Sequence, residues 1–82
     1  MVHIKILGPG CANCRKLEEM ARQAVAGLGL EAAVEKVSDV EVLMAYDVYS
    51  TPGLVIDDQV VCSGRIPSST ELTGWIRAAS GG

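Results

Sequence analysis

The segment VHIKILGPGCANC, residues 2–14, decides the fold and the chemistry expected of this chain. An apolar run at residues 2–7 is followed by the turn signal Gly8-Pro9-Gly10, and then by Cys11 and Cys14 where a helical pattern begins. The run carries apolar residues on both faces, which favours a central strand. Because residues i and i+3 share one face of a helix, the two thiols lie within reach of a single disulfide bond. The segment therefore predicts a strand, a turn and a helix that begins with a dithiol.

The two cysteines are expected to differ in reactivity. Cys11 lies at the helix start, where unpaired backbone N–H groups and the positive end of the helix dipole lower the pKa of a thiol. Cys14 lies on the apolar stripe of the same helix, with Leu17 and Ala21. Because the thiolate is the attacking species, Cys11 is the predicted nucleophile and Cys14 the predicted resolving cysteine. The alternative is a buried and inert pair, which the placement at a helix start disfavours.

Length and composition restrict the possible classes. The chain has 82 residues, 49% of them hydrophobic, which suits one packed domain and leaves no room for a second. A net charge of −3, no Phe and a single Trp argue against a nucleic-acid partner. The sequence shows no signal peptide and no run that could span a bilayer, so we expect a cytoplasmic protein without membrane contact. In that reducing compartment a CxxC pair is more often catalytic or metal-binding than structural.

Hydrophobic periodicity and turn signals predict the order βαβαββα. The predicted domain covers residues 1–79, and residues 80–82 are expected to form a flexible tail. Capping-box patterns, Ser38 with Glu41 and Ser68 with Glu71, mark the starts of the second and third helices. The predicted elements are a strand at 2–7, a helix at 12–28, a strand at 31–37, a helix ending near 46, strands at 54–56 and 60–62 joined as a hairpin, and a last helix.

This order, with CxxC at the first strand-to-helix junction and Thr51-Pro52 before the third strand, resembles the thioredoxin fold over essentially the whole chain. Segments 10–14, 50–54 and 64–68 look like those of small thioredoxin-like proteins called redox-active disulfide proteins. The resemblance implies an α/β domain of the minimal thioredoxin-like fold, with a four-stranded mixed sheet in the order 2-1-3-4 flanked by helices. It implies a thiol–disulfide oxidoreductase that exchanges two electrons with protein or small-molecule disulfides. We expect a monomer without a cofactor, served by an unidentified reductase.

The resemblance also assigns a role to Thr51 and Pro52. In the family the proline before the third strand is cis and lies opposite the CxxC motif. The residue before it, here Thr51, offers backbone hydrogen bonds to an extended substrate segment. Without the resemblance, an ordinary trans proline in a turn would be the preferred interpretation. The surface around Cys11, including Thr51 and the Arg65-Ile66-Pro67 turn, is expected to select partners.

The chain differs from the thioredoxin pattern between the cysteines, where Ala12 and Asn13 replace Gly-Pro, and at two positions before them. The Trp that precedes the motif in thioredoxins is Gly10 here, and the buried acid six residues before the first cysteine is Lys5. A cation near the pair favours thiolates, so Lys5 is a candidate for electrostatic tuning. The alternative is a side chain that reaches solvent from the sheet edge. Glu18, one turn beyond Cys14, is either a proton shuttle or a solvated carboxylate.

Soft-metal binding, as in a metal-chaperone module that uses the same CxxC, is the alternative function. Small ferredoxin-like metal chaperones also place CxxC between their first strand and first helix. They usually have Met two residues before the first cysteine, where this chain has Pro9, and their second half runs strand, helix, strand. A structural zinc site requires four ligands, and Cys62 and His3 do not form a matching pair, so no metal site is expected.

Three aromatic residues and one cysteine are expected to be structural. Cys62 is predicted to be a small buried hydrophobe in the last strand. The aromatic residues are expected to pack rather than bind, and they are Tyr46, Tyr49 and Trp75.

Overall fold

The chain folds in the order βαβαββα, in a computed structural model that describes residues 2–8 and 12–81. The predicted α/β fold is confirmed, and every strand boundary falls within one residue of its predicted position. Pro9, Gly10 and the predicted nucleophile Cys11 lie outside the described residues. The elements are β1 (Val2–Leu7), α1 (Ala12–Leu28), β2 (Ala32–Val37), α2 (Val40–Ala45), β3 (Gly53–Ile56), β4 (Gln59–Ser63) and α3 (Ser69–Ala79).

The four strands of the described chain form one mixed sheet in the order β2-β1-β3-β4, as predicted. Strand β1 is parallel to β2 and antiparallel to β3, and β3 is antiparallel to β4. Leu7 is opposite Val37 on one side and Gly53 on the other, and Gly53 is opposite Ser63. We call this edge of the sheet, formed by these four residues, the thiol end. The opposite edge, where Asp57 and Asp58 connect β3 to β4, is the turn end.

One face of β1 is buried along its whole length, whereas the other is buried only at Leu7, since His3 is exposed and Lys5 is half-buried. One face packs against α1 and α3 in a core of the following residues: Val2, Ile4, Ile6, Leu17, Ala21, Leu54, Ile56, Cys62, Leu72 and Ile76. The other face packs beneath α2 in a smaller cluster of Leu7, Leu43, Val48 and Val55. Successive strand residues point to opposite faces, so β1 and β3 each contribute to both clusters. The burial of Ile6 and Leu7 on opposite faces fixes the end of β1 at the thiol end.

The β3–β4 connection is a two-residue turn, since Ile56 pairs with Gln59. Both turn residues adopt left-handed conformations, with φ 49° at Asp57 and 66° at Asp58. Hairpins prefer such turns because their twist matches that of the strands, and Asp tolerates this region better than most residues. Gln59, which the sequence places in the connection, is the first residue of β4 instead.

One of the two predicted capping boxes is confirmed. Ser68 accepts a hydrogen bond from the Glu71 amide at 3.1 Å, and the Glu71 carboxylate accepts one from the Ser68 amide. The predicted box at Ser38 is wrong, because Asp39 is the N-cap of α2 and its carboxylate accepts from the Glu41 amide at 2.9 Å. The Asp39 carboxylate and the Ser38 hydroxyl are both potential acceptors for the Glu41 amide. The carboxylate is preferred, since ionised acceptors form stronger hydrogen bonds.

The last described residues remain attached to α3. Ser80 caps the helix, and its amide donates to the Ile76 carbonyl at 3.0 Å. The Gly81 amide donates to Ala78 at 3.2 Å. Among the described residues, none of the helices has the length and apolar character needed to cross a membrane.

Candidate active site

Cys14 lies in the first turn of α1 and is fully buried, with 0% of its surface exposed. Its burial follows from its place on the apolar stripe of the helix, where Leu17 and Ala21 are also fully buried. The helix begins at the thiol end, directly after the segment that leaves β1. The sulfur of Cys14 is therefore held inside the protein, at the position predicted for the resolving cysteine. The geometry of its predicted partner, Cys11, lies outside the described residues.

Gly8 is in direct contact with the Cys14 side chain. A Cβ atom placed on Gly8 would overlap the Cys14 Sγ and would lie 3.4 Å from the Cys14 Cβ. The φ angle of Gly8 is not positive, so an ordinary side chain would meet no backbone strain there. The sequence suggests that this glycine serves the turn of the backbone. The structure shows that it leaves space for a sulfur atom, and the sequence pattern contains no signal of that contact.

Thr51 is also close to Gly8, and Pro52 follows it in the chain. A Cβ atom on Gly8 would be 3.6 Å from the Thr51 Cβ, so Thr51 and Cys14 both lie near the position that a side chain on Gly8 would occupy. The Thr51–Pro52 peptide bond is cis, the form that the resemblance implies. Pro52 is buried and Thr51 is exposed. The structure thus brings Cys14, Gly8 and the Thr51–Pro52 bond together at the thiol end.

The segment after β4 closes the same edge of the molecule. Gly64, at a left-handed φ of 79°, donates its amide hydrogen to the Pro52 carbonyl at 3.0 Å. The following residue, Arg65, forms two parallel hydrogen bonds to the Glu71 carboxylate, at 3.0 and 3.1 Å. These bonds and the amide of Ser68 lower the pKa of Glu71 to about 2. The hydrogen bond between Gly64 and Pro52 therefore connects the turn that contains Arg65 to the segment that contains Thr51.

Lys5 extends toward the turn end of the sheet. Its Nζ donates to the Tyr46 hydroxyl at 3.2 Å and lies 4.0 Å from the Asp58 carboxylate. The Tyr46 hydroxyl in turn donates to Asp58 at 2.9 Å. The hydrogen bond to Tyr46 is the main cause of the raised pKa of Lys5. Lys5 belongs to a central strand of the sheet, not to an edge strand. Its ammonium group points toward the turn end, away from Gly8.

Two of the remaining candidates have local partners. Glu18 accepts a hydrogen bond from Arg22, four residues later on α1, at 3.0 Å. Cys62 is buried, as predicted for a small hydrophobe, and its sulfur lies 3.6 Å from the Arg65 carbonyl oxygen. Neither contact involves Cys14. Both residues therefore have structural surroundings that account for their placement.

The three aromatic residues divide between packing and exposure. Trp75 packs against the main core and Tyr46 against the cluster beneath α2, as predicted. The prediction is wrong for Tyr49, which is 77% exposed. The reason is local, because Val48 fills the cluster beside it and extended chain alternates buried with exposed side chains.

Metal-ligating side chains are dispersed in the described part of the chain. Within residues 2–8 and 12–81, no three His, Cys, Asp or Glu side chains converge on a position that could hold a metal ion. The candidates Cys62 and His3 belong to β4 and β1, at different places in the sheet. Cys11 lies outside these residues.

The chain is similar to known thioredoxins over most of its length. The thioredoxin-domain family model matches residues 2–77. A thioredoxin from Methanothermobacter thermautotrophicus is 39% identical over 72 residues, which are 88% of this chain and 94% of that protein. A thioredoxin from Methanocaldococcus jannaschii is 42% identical over 72 residues, covering 88% of this chain and 83% of the other.

Solved structures show the same fold at lower identity. A point mutant of a thioredoxin from Halobacterium salinarum has a TM-score of 0.72 at 22% identity, over 95% of this chain and 74% of the other. The germline-specific thioredoxin Deadhead from Drosophila melanogaster has a TM-score of 0.69 at 18% identity, over 94% and 79%. The sequence matches and the shared fold lead to one assignment: this chain belongs to the thioredoxin family of thiol–disulfide oxidoreductases.

Proposed function

We propose that Cys11 and Cys14 are the redox pair of this oxidoreductase, with Cys11 as nucleophile and Cys14 as resolving cysteine. One observation carries the proposal: Cys14 is fully buried in the first turn of α1, beside Gly8 and close to the cis Thr51–Pro52 bond. A buried sulfur is protected from substrate, so the first attack falls to the cysteine three residues earlier. The helix start favours the thiolate at that earlier position.

The proposed reaction has two exchange steps. The Cys11 thiolate attacks one sulfur of the target disulfide, which forms a mixed disulfide and releases the other target sulfur as a thiolate. Cys14 then loses its proton and attacks the Cys11 sulfur, so that the Cys11–Cys14 bond forms and the bond to the target breaks. The target gains two electrons and, from solvent, two protons. The protein loses two electrons and requires a reductase to return to the dithiol.

Thr51 and Pro52 are proposed to hold the target next to the redox pair. Within the described residues, the backbone of Thr51 takes part in no hydrogen bond, and its side chain is exposed. An extended target segment can therefore pair with the Thr51 amide and carbonyl, as one strand pairs with another. The Pro52 side chain is buried, and the Pro52 carbonyl accepts a hydrogen bond from the Gly64 amide. Both contacts fix the position of the backbone next to Thr51.

The proposed partners follow from this chemistry. The substrates are proteins or small molecules that carry a disulfide, and the reductant is a separate, unidentified reductase that acts on the oxidised pair. We propose a monomer that works in the cytoplasm, where a reducing thiol pool keeps the pair available as a dithiol.

Substitution of Cys11 tests the assignment. Cys11→Ser should reduce insulin disulfides in the presence of dithiothreitol only at the background rate of the reagent. Cys62→Ser is the matched control, because it removes a buried thiol that lies in β4 and is hydrogen-bonded to the Arg65 carbonyl, and it should retain the wild-type rate. Wild-type turnover by Cys11→Ser would refute the role of Cys11.

The metal-binding alternative predicts a different result for the same protein. Titration of the reduced wild-type chain with Cu(I) or Zn(II), followed by calorimetry, should show no tight stoichiometric binding that competes with disulfide turnover. Tight one-to-one binding by a protein without insulin reductase activity would overturn the proposed function in favour of soft-metal transport.

A further inference from the structure

We propose that Gly8 is a positioning residue for the Cys14 sulfur, because the absence of a side chain at Gly8 creates the space in which that sulfur sits. The proposal rests on the proposed function of the Cys11–Cys14 pair. The observation that carries it is that a Cβ atom on Gly8 would overlap the Cys14 Sγ. Among the described residues that are not its chain neighbours, the next atoms are the Cys14 Cβ at 3.4 Å and the Thr51 Cβ at 3.6 Å, which are tolerable contacts. An added methyl group would therefore conflict with the sulfur.

The backbone at Gly8 has little freedom to relieve this conflict. The Gly8 amide donates to the Val37 carbonyl at 2.9 Å, which continues the pairing of β1 with β2. The preceding residue, Leu7, is fully buried and is paired with strands on both sides. Moving Gly8 away from Cys14 would therefore disturb its hydrogen bond to Val37 or the pairing of Leu7. The cheapest response to an added methyl group is consequently a displacement of the sulfur.

The Cys14 side chain also has few alternatives. Within a helix one of the three χ1 rotamers is rare, because it drives the side chain into the preceding turn. A buried side chain must also fit among its packed neighbours, and interiors contain few voids. A sulfur displaced by Gly8→Ala would either leave its rotamer minimum or move the start of α1.

The position of this sulfur matters for both steps that involve Cys14. A disulfide tolerates only a narrow range of Cβ–Cβ separations and torsions, so a displaced Cys14 makes the Cys11–Cys14 bond strained and more easily reduced. The same displacement takes the attacking sulfur out of line with the mixed disulfide, where small errors in position lower rates strongly. We expect Gly8→Ala to stabilise the dithiol relative to the disulfide and to prolong the mixed disulfide.

The first measurement is the equilibrium of the pair with glutathione. Gly8→Ala should shift it about tenfold toward the dithiol, which corresponds to about 30 mV for a two-electron couple. Gly74→Ala is the matched control, since a Cβ atom on Gly74 meets no atom within 4 Å. Ile4→Val controls for lost stability. Ile4 is buried and is paired with Ile56 next to the turn end, whereas Gly8 and Cys14 lie at the thiol end. Both controls should remain within about twofold of wild type, since loss of stability alone affects both redox states alike. A shift for Gly8→Ala no larger than that of Gly74→Ala would overturn the proposal.

A double-mutant cycle tests the contact itself and remains decisive if Gly8→Ala does not fold. Cys14→Ala removes the sulfur but keeps the Cβ atom, so the added methyl group of Gly8→Ala then has room. In urea unfolding, Gly8→Ala should lower the midpoint in the Cys14 background and lose most of that effect in the Cys14→Ala background. An equal loss in both backgrounds, or a double variant that fails to fold, would refute a conflict with the sulfur.

The two proposals can fail separately. If Cys11→Ser keeps wild-type turnover, the pair is not the redox site, but the unfolding cycle still decides whether Gly8 makes room for Cys14. If Cys11→Ser is inactive and Gly8→Ala behaves as Gly74→Ala does, the function stands and the positioning role of Gly8 is refuted.

Discussion

The two ends of the sheet hold their polar groups in place by different interactions. At the thiol end, a fully buried sulfur lies against Gly8, beside Thr51 and the buried Pro52. At the turn end, the Lys5 ammonium group is bound to Tyr46 and lies near the solvent-exposed carboxylate of Asp58. One end holds an atom in place by packing, and the other holds a charge by hydrogen bonds. Apolar packing is the stricter constraint, because a single methylene group changes the fit.

The difference also explains why a lysine is acceptable at the position where thioredoxins carry a buried acid. The Lys5 side chain shares a strand with the residues that lead to Cys14, but its ammonium group is engaged at the other edge of the sheet. Salt largely screens solvent-exposed charges that are separated by more than the Debye length, which is about 10 Å at 0.1 M ionic strength. The residue type therefore matters less to the pair than the direction in which its partners hold it.

The largest expected loss of stability comes from a substitution that removes packing beneath the thiol end. Leu17 is fully buried one turn after Cys14, so Leu17→Ala should lower the free energy of unfolding by about 2–5 kcal/mol. Tyr46→Phe is the matched change at the turn end. It keeps the ring but removes the hydroxyl that binds Lys5 and Asp58, and it should cost only about 0.5–1.5 kcal/mol. Urea unfolding measures both values, and equal losses would contradict the distinction between a packed end and a hydrogen-bonded end.

A smaller effect concerns the ion pair at the start of α3, which lies at the thiol end. The hydrogen bonds from Arg65 and Ser68 lower the pKa of Glu71 from 4.5 to about 2 in the folded protein. The unfolded chain therefore binds this proton more readily, and the contact stabilises the fold above pH 4.5 and is lost as the pH falls toward 2. The difference in urea midpoint between wild type and Glu71→Gln should be largest near about pH 6 and should close near about pH 2.

A change of net charge alone must be separated from this effect. Glu31→Gln removes an exposed carboxylate just before β2, away from Arg65, and serves as the control. A difference between wild type and Glu71→Gln that stays constant over this acidic range would show that Arg65 and Ser68 do not hold the Glu71 carboxylate.

The smallest effect is expected for Lys5, whose electrostatic tuning of the pair remains a prediction from the sequence. Lys5→Met removes the charge and keeps an apolar stem. Because the ammonium group is held at the turn end, the rate at which iodoacetamide alkylates the reduced protein should change by less than about twofold at neutral pH. A change of about tenfold would show that the charge of Lys5 reaches the thiols, and it would revive the role that the sequence predicts.

Local patterns were sufficient for most of the architecture. The boundaries of β1 and α1 and the Ser68 capping box follow from hydrophobic period, glycine stops and helix-cap chemistry, all of which act over a few residues. Caps that compete at neighbouring positions were less certain, as the choice of Asp39 over Ser38 shows. Tyr49 shows a second limit, because an aromatic residue between elements packs only if the fold brings a surface to it, and none covers this side chain in the described structure.

Helical periodicity in the sequence is enough to assign Cys14 to a buried stripe, and the structure confirms that burial. The placement of Cys11 at the helix start remains a prediction. The surroundings of Cys14 follow from the tertiary structure alone. Strand pairing brings together residues that are distant in the sequence. It places Gly8 against the Cys14 sulfur, the Pro52 carbonyl within hydrogen-bonding distance of the Gly64 amide, and the Lys5 ammonium group beside Tyr46. Such contacts depend on the register and packing of the sheet, which no local pattern encodes.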